Sequence, residues 1–159
     1  MSDSIINKIV NFVELLIKTK DAATQVRIPI RETQFAIYYK NFENACKTLI
    51  EKIMIKSLKL KHDVLPADKE VVEIISEIKK EMPTIKARYS IIRSGSELEG
   101  LDPYIIEAEQ LHSKTAAQIF QEMRDLDNKY NNLIRLYEQL SEYSSGTGIT
   151  ARLFKAIFK

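Results

Sequence analysis

Glu109 and His112 are the residues of this sequence whose types and spacing come nearest to a metal site. A Glu-x-x-His pair places two ligands on successive turns of one helix face, and metal-binding helical bundles use it to aim both ligands inward. Such a site needs a second pair, yet Lys59 stands three residues before the other histidine, His62. We therefore interpret His112 as bonded to Glu109 at a polar end of a bundle, with a metal site as the weaker alternative, and we expect no cofactor.

Other motifs that are typical of metal-binding or catalytic sites are incomplete or absent in this sequence. Asp125 and Asp127 match the start of a calcium-binding loop, but Lys129 and Tyr130 stand where an oxygen ligand and a glycine are required. The sequence has no glycine-rich phosphate loop, no nucleophile elbow and no Cys/His zinc spacing. Its single cysteine, Cys46, excludes an internal disulfide and favours a reducing compartment. We predict that the protein is not an enzyme.

Basic residues are concentrated in the first part of the chain. Residues 1–62 hold eleven Lys/Arg against six Asp/Glu, whereas residues 63–110 hold six against eleven. This asymmetry suits an anionic partner, but complementary packed faces or lysines beside a helix C-terminus would produce the same pattern. Aromatic residues are absent among the lysines that end the second helix, so nucleic acid would be contacted through its phosphates. The candidate phosphate contacts are Lys18, Lys20, Arg27, Arg31, Lys52, Lys56, Lys59 and Lys61.

The elements that would position these residues are long α-helices. Alternating steps of four and three residues from Ile105 reach Leu140 along a seam that is apolar after its first two turns. Asp102 fits a helix N-cap and Pro103 the first helical position, while Gly146 and Gly148 follow the end. The pattern predicts one unbroken helix of about 40 residues, 102–143.

Similar spacing predicts three further helices, at about 5–17, 29–61 and 67–82, the last one kinked or restarted at Pro83. We predict a polar connection over 19–28 and a loop over 94–101. The chain is 45% apolar and 29% charged, with only four glycines and four prolines, which is typical of a globular protein with long helices. The predicted fold is all-α, an elongated bundle of about four main helices over residues 1–146.

Residues 147–159 are a separate amphipathic peptide with a glycine hinge, which we predict to be a short C-terminal helix. The eleven residues after Gly148 cannot hold a helix alone in water, so this peptide must dock on the protein's own bundle, on a partner protein or on an anionic membrane. The side chains that we expect to bind a partner are Leu153, Phe154, Ile157 and Phe158.

Residues 151–158 resemble the peptide that DNA sliding clamps bind, with Phe154 at its aliphatic position and Ile157–Phe158 as its terminal pair. The segment departs from that peptide at Ala151, where glutamine is expected, and at Ile157, where the first aromatic residue is expected. The resemblance covers eight residues of the chain.

Together these patterns favour a non-enzymatic helical adaptor or assembly subunit that docks a larger complex through its C-terminal peptide and also self-associates. The alternative is a nucleic-acid-transaction accessory protein that contacts phosphates through its basic N-terminal half. Peripheral membrane contact is a less favoured third possibility. With no secretory leader and no apolar stretch of membrane-spanning length, we expect a soluble cytoplasmic protein.

Overall fold

In a computed structural model, the part of the chain that is described consists of four long α-helices and a short 3-10 helix. The structure describes residues 2–30, 34–62, 68–98 and 115–157, and the side chains of 5–30, 35–58, 69–94, 115 and 117–143. The helices are α1 (Ser2–Arg27), the 3-10 helix (Ile28–Ile30), α2 (Gln34–His62), α3 (Asp68–Leu98) and α4 (Ala116–Ile157). These ranges contain no β-strand, which confirms the all-α prediction.

The four helices form an antiparallel bundle. Each packs on two neighbours, α1 on α2 and α4, and α3 on α2 and α4. The direction of α2 and α3 follows from their ion pairs, since Lys52 contacts Glu81 and, one turn later, Lys56 contacts Glu73. With helices of 26 to 42 residues, the bundle is elongated, because α4 alone spans about 63 Å at 1.5 Å per residue.

The core follows the predicted seams of α2 and α3. Each seam residue of α2 is at most 1% exposed, namely Phe35, Tyr39, Phe42, Cys46, Leu49 and Ile53. The seam of α3 is buried from Val71 to Ile92 and crosses Pro83 without a change of face. Helix α3 continues through this exposed proline to Leu98. The predicted restart at Pro83 and the predicted loop from Ser94 to Leu98 are therefore wrong.

Helix α1 is longer than the sequence pattern suggested. The predicted connection over 19–28 is helical to Arg27, because Ala23 and Val26 continue the buried seam of α1. Thr19 also lies in this seam, fully buried, and its hydroxyl donates a hydrogen bond of 2.7 Å to the carbonyl of Leu15. This bond satisfies the one polar side chain in an otherwise apolar stripe.

Helix α4 begins at Ala116 after the non-helical Thr115, so the predicted helix over 102–143 is not unbroken, and its part before Thr115 lies outside the described residues. Thr115 is the N-cap: its hydroxyl accepts a hydrogen bond of 3.1 Å from the amide of Gln118, whose side-chain oxygen accepts one of 2.9 Å from the amide of Thr115. This reciprocal pair is a capping box, which satisfies two amides that a helix N-terminus leaves without partners. The predicted cap at Asp102 lies outside the described residues.

The far end of α4 also differs from the prediction. The helix does not end at Tyr143 but continues through Gly146 and Gly148 to Ile157, so a separate short C-terminal helix is not observed. Within the described side chains, its predicted seam is buried at five positions, Ile119, Leu126, Tyr130, Leu133 and Leu140. None of the described helices contains a stretch long and apolar enough to span a bilayer.

Candidate functional site

The seam between α3 and α4 is closed by aromatic rings in its middle. Tyr89 of α3 and Tyr130 of α4 stack with their ring centroids 3.7 Å apart. Phe42 of α2 contacts both rings from across the core, at 5.2 Å and 6.1 Å between centroids. Further along the seam, the ammonium nitrogen of Lys86 lies 5.7 Å from the ring centroid of Tyr137. Helix α3 packs less extensively on α4 than it does on α2. The aromatic rings therefore help to hold α3 and α4 together.

The same seam opens into a groove towards the N-terminus of α4. Phe120, Met123 and Asp127 follow one another at steps of three and four residues, so they form a row that faces α3. Phe120 is 38% exposed although it is a large apolar residue. The groove has a volume of about 390 Å³, which is within the usual range for ligand sites. It is lined by Tyr39, Tyr89, Ile92, Arg93, Phe120, Met123, Arg124 and Asp127.

Asp127 joins the polar side chains at the floor of this groove. One of its oxygens, Oδ1, accepts hydrogen bonds from the hydroxyl of Tyr89 at 2.9 Å and from Nη2 of Arg93 at 2.8 Å. Arg93 Nη2 also donates to the side-chain oxygen of Asn131 at 2.9 Å. The guanidinium lies 4.9 Å from the ring centroid of Tyr89 and 5.3 Å from that of Tyr130. Arg93 is therefore fixed by both charge and aromatic contacts.

The pKa values of this cluster follow from these contacts. Burial raises the pKa of Asp127, but the hydrogen bonds from Arg93 and Tyr89 lower it by more, so it lies below its usual value. Burial lowers the pKa of Arg93, but the hydrogen bond to Asp127, the charge of Asp127 and the neighbouring Tyr89 and Tyr130 together outweigh this and raise it. Burial, aided by the hydrogen bond to Asp127, raises the pKa of Tyr89. At neutral pH, both charges are thus held in place and Tyr89 remains neutral.

Tyr39 brings a second buried hydroxyl to the groove. Only 1% of the residue is exposed, and burial together with the charge of Asp127 raises the pKa of its phenol. Within the described part of the chain its hydroxyl makes no hydrogen bond. Because Tyr39 lines the groove, its hydroxyl offers a hydrogen-bonding group to whatever occupies the groove.

The arrangement suits binding better than proton transfer. General acid–base catalysis works best with a group whose pKa lies near the operating pH. The pKa values of Asp127 and of the tyrosines move away from neutrality. Burial raises the pKa of Cys46, which lies in the core, to about 12, so its thiol stays protonated at neutral pH. These groups can hold a bound molecule by fixed charges, hydrogen bonds and apolar contact.

Of the eight basic residues predicted to contact phosphates, four form ion pairs within the protein. Arg27 binds the buried Glu43, and Lys20 lies 2.7 Å from Asp21. Lys52 and Lys56 bind carboxylates of α3, as described above. Lys18 is exposed, while Arg31 and the side chains of Lys59 and Lys61 lie outside the described part of the structure. Nucleic-acid binding stays a prediction.

The other sequence-predicted sites fall largely outside the described residues. Glu109 and His112 are among these, so the weak metal candidate is untested. Across the described ranges, no group of three His, Cys, Asp or Glu residues is arranged to hold a metal ion. The side chains predicted to bind a partner, those of Leu153, Phe154, Ile157 and Phe158, are also not described.

The predicted site residues do not include the groove. Phe120 is not among them, and Asp127 was predicted only to belong to a calcium motif that is incomplete. The row from Phe120 to Asp127 was a usable signal, because a carboxylate beside an apolar seam needs a partner. Nothing in the sequence indicated that Arg93, 34 residues earlier, would be that partner.

A second exposed apolar surface lies on α2. Met54, Ile55 and Leu58, which we call the α2 stripe, are 37%, 64% and 49% exposed. They lie within about one and a half turns on the outer side of the helix. The buried polar side chain within this stretch, Ser57, is satisfied by its hydrogen bond of 2.8 Å to the carbonyl of Met54, so the stripe serves below as a control surface.

Comparison of the chain with models of protein families, with curated proteins and with solved structures gives no match. The fold class, an all-α antiparallel bundle, therefore comes from the structure itself, and the function has to be argued from the groove.

Proposed function

We propose that this protein is a non-enzymatic helical adaptor, which holds a segment of a partner protein in the groove between α3 and α4. The observation that supports this proposal is the exposed Phe120 beside a fixed polar cluster in a concave site. Concave sites with apolar walls and a few placed polar groups are the usual form of binding sites.

The residues of the groove match those that dominate protein interfaces. Tyr, Arg, Phe and Met are enriched at such interfaces, and the groove contains each of them. Its polar floor is rigid, because Arg93 is held by Asp127, Asn131 and two tyrosine rings. A rigid floor reduces the entropy lost on binding, which favours affinity without large buried area.

The test is a selection from a library of displayed peptides against the immobilised full chain. Phe120→Ala should weaken a selected peptide about tenfold or more, since truncating a central interface residue costs about 1–2 kcal/mol. Met54→Ala on the α2 stripe removes an apolar side chain of similar exposure, 37%, and should leave the affinity unchanged. A selection that yields no binders, or binders equally sensitive to both variants, would refute the proposal.

The C-terminal peptide remains part of this proposal as a second contact. Its four apolar side chains, Leu153, Phe154, Ile157 and Phe158, cost free energy in water unless a surface receives them. Deleting residues 147–159 should leave the melting temperature within about 2–4 °C of wild type, which corresponds to roughly 1 kcal/mol. It should also reduce docking on the larger complex. A decrease of many degrees would assign the peptide to the protein's own core instead.

A further inference from the structure

We propose that the partner segment held in the groove is acidic: it places an Asp or Glu carboxylate on Arg93 and Arg124 and an adjacent aromatic or aliphatic side chain against Phe120 and Met123. This inference rests on the proposed function and names the chemistry of its partner.

The charges of the groove favour an anion. Arg93 and Arg124 bring two positive charges against the single negative charge of Asp127. Asp127 is already neutralised, because Arg93 forms an ion pair with it at 2.8 Å. Arg124 is exposed, and its only bond within the described residues is to the side-chain oxygen of Gln121, a neutral group. One positive charge is therefore available to an incoming carboxylate.

Donors that have no partner point to the same ligand. Nη1 of Arg93 and the hydroxyl of Tyr39 make no hydrogen bond within the described residues, and both residues line the groove. Arg124 uses only Nη2, which leaves Nε and Nη1 available. A carboxylate has two oxygens that together accept about four hydrogen bonds, so it can satisfy these donors, whereas an ammonium group cannot accept any.

The apolar part of the ligand follows from the other wall. Phe120 is 38% exposed and Met123 is half-buried, and both lie within two turns of Asp127. An apolar side chain next to the carboxylate would cover them and remove water from the ion pair. The chain's own C-terminal peptide, from a second copy, does not fit by charge, because it carries Arg152, Lys155 and Lys159.

The experiment uses the full chain labelled with ¹³C at its four methionine methyl groups. Met123 reports on the groove, Met54 on the α2 stripe and Met82, which is fully buried, on the core. The probes are three tetrapeptides, acetylated and amidated, with Leu-Phe between two flanking residues that are Glu, Gln or Lys.

We expect the Glu peptide to shift the Met123 methyl resonance, to bind at least fivefold more tightly than the Lys peptide and to leave Met82 unchanged. Arg124→Glu should reverse this preference. The matched control is Arg135→Glu, which changes another exposed arginine of α4 about three turns away and should have no effect. Circular dichroism checks that both variants remain folded.

The outcomes separate this inference from the proposed function. If all three peptides shift Met123 with equal affinity, the groove binds peptides but the acidic preference is wrong. If the shift occurs at Met54 alone or at no methyl group, both proposals fail.

Residues 99–114 of the chain itself carry four carboxylates, at Glu99, Asp102, Glu107 and Glu109. If the Glu peptide binds only after these four are changed to Gln or Asn, the acidic segment belongs to this chain and the partner assignment is overturned.

Discussion

Asp127 shows how one carboxylate can organise a site at the junction of two helices. Its Oδ1 atom receives hydrogen bonds from Tyr89 and from two nitrogens of Arg93. Both side chains of the ion pair are more than two-fifths exposed, so solvent screening keeps its contribution to stability small. The main effect of the cluster is to fix the position of Arg93 rather than to stabilise the fold.

This gives a prediction about pH. The pKa of Asp127 is lowered in the folded protein, so its stabilising effect is present above the usual value of 3.8 and is lost as the pH falls through the lower folded value. Asp127→Asn should cost less than about 1 kcal/mol at pH 7. Urea unfolding of both proteins should show that this difference decreases towards zero in the acidic limit. If the difference in free energy of unfolding between the two proteins is the same at every pH, the lowered pKa of Asp127 is contradicted.

A second residue-level prediction concerns Glu43, which is only 2% exposed and binds both Thr24 and Arg27. Removing one partner of a buried ion pair leaves an uncompensated charge, at a typical cost of about 3 kcal/mol. Arg27→Met should therefore destabilise the protein by roughly that amount.

Glu43→Met is the matched control. It removes the buried charge and leaves Arg27, which is 25% exposed, able to reach water, so the cost should be smaller. Denaturant unfolding measures both variants and the double mutant. If Glu43→Met lowers the free energy of unfolding more than Arg27→Met does, the buried charge of Glu43 does not determine the cost of breaking this ion pair.

At the scale of elements, α4 shows where local patterns succeed and where they do not. The four-three seam identified its buried face, since Leu126, Tyr130 and Leu133 are all buried. The same pattern ran through Thr115, where the helix is interrupted, because a seam does not mark where a helix begins. The start of α4 is marked by a Ser/Thr-x-x-Glu/Gln capping box formed by Thr115 and Gln118. This motif is visible in the sequence, but the prediction placed the cap at Asp102 instead.

The glycines near the end of α4 give an element-level prediction. Within a helix, glycine is about 1 kcal/mol less favourable than alanine, whereas alanine is disfavoured at a hinge that needs positive φ. Because α4 continues through Gly146 and Gly148, replacing each by alanine should raise the helix content and the melting temperature. Circular dichroism measures both quantities. A decrease in helix content or in melting temperature would instead support the glycine hinge that the sequence suggested.

At the scale of the whole molecule, part of the charge asymmetry of the chain is explained by ion pairs within the bundle. Basic residues of α2 meet acidic residues of α3, most clearly where Lys52 contacts Glu77 and Glu81. The hydrogen bond to Glu81 raises the pKa of Lys52. Complementary faces thus help to set the pairing and direction of α2 and α3.

The corresponding prediction is that Lys52→Glu lowers the melting temperature more than Lys40→Glu, which changes an exposed lysine of the same helix. The new carboxylate would face Glu77 and Glu81. The difference between the variants should decrease in 1 M NaCl, where charges are screened within about 3 Å. Equal melting temperatures at low salt would show that these ion pairs do not contribute to helix pairing.

The sequence by itself determined the fold class, the helical seams and nearly all of the buried face of α2, because apolar periodicity is a local property of a helix. It could not locate the groove. That site depends on Arg93, Asp127 and Tyr39, which lie on three helices and meet only through the register of the bundle. Tertiary packing also decided which cations are paired, as it placed Glu43 beside Arg27 and Glu81 beside Lys52. The physical reason is that such contacts depend on how helices align along one another, which no single helix encodes.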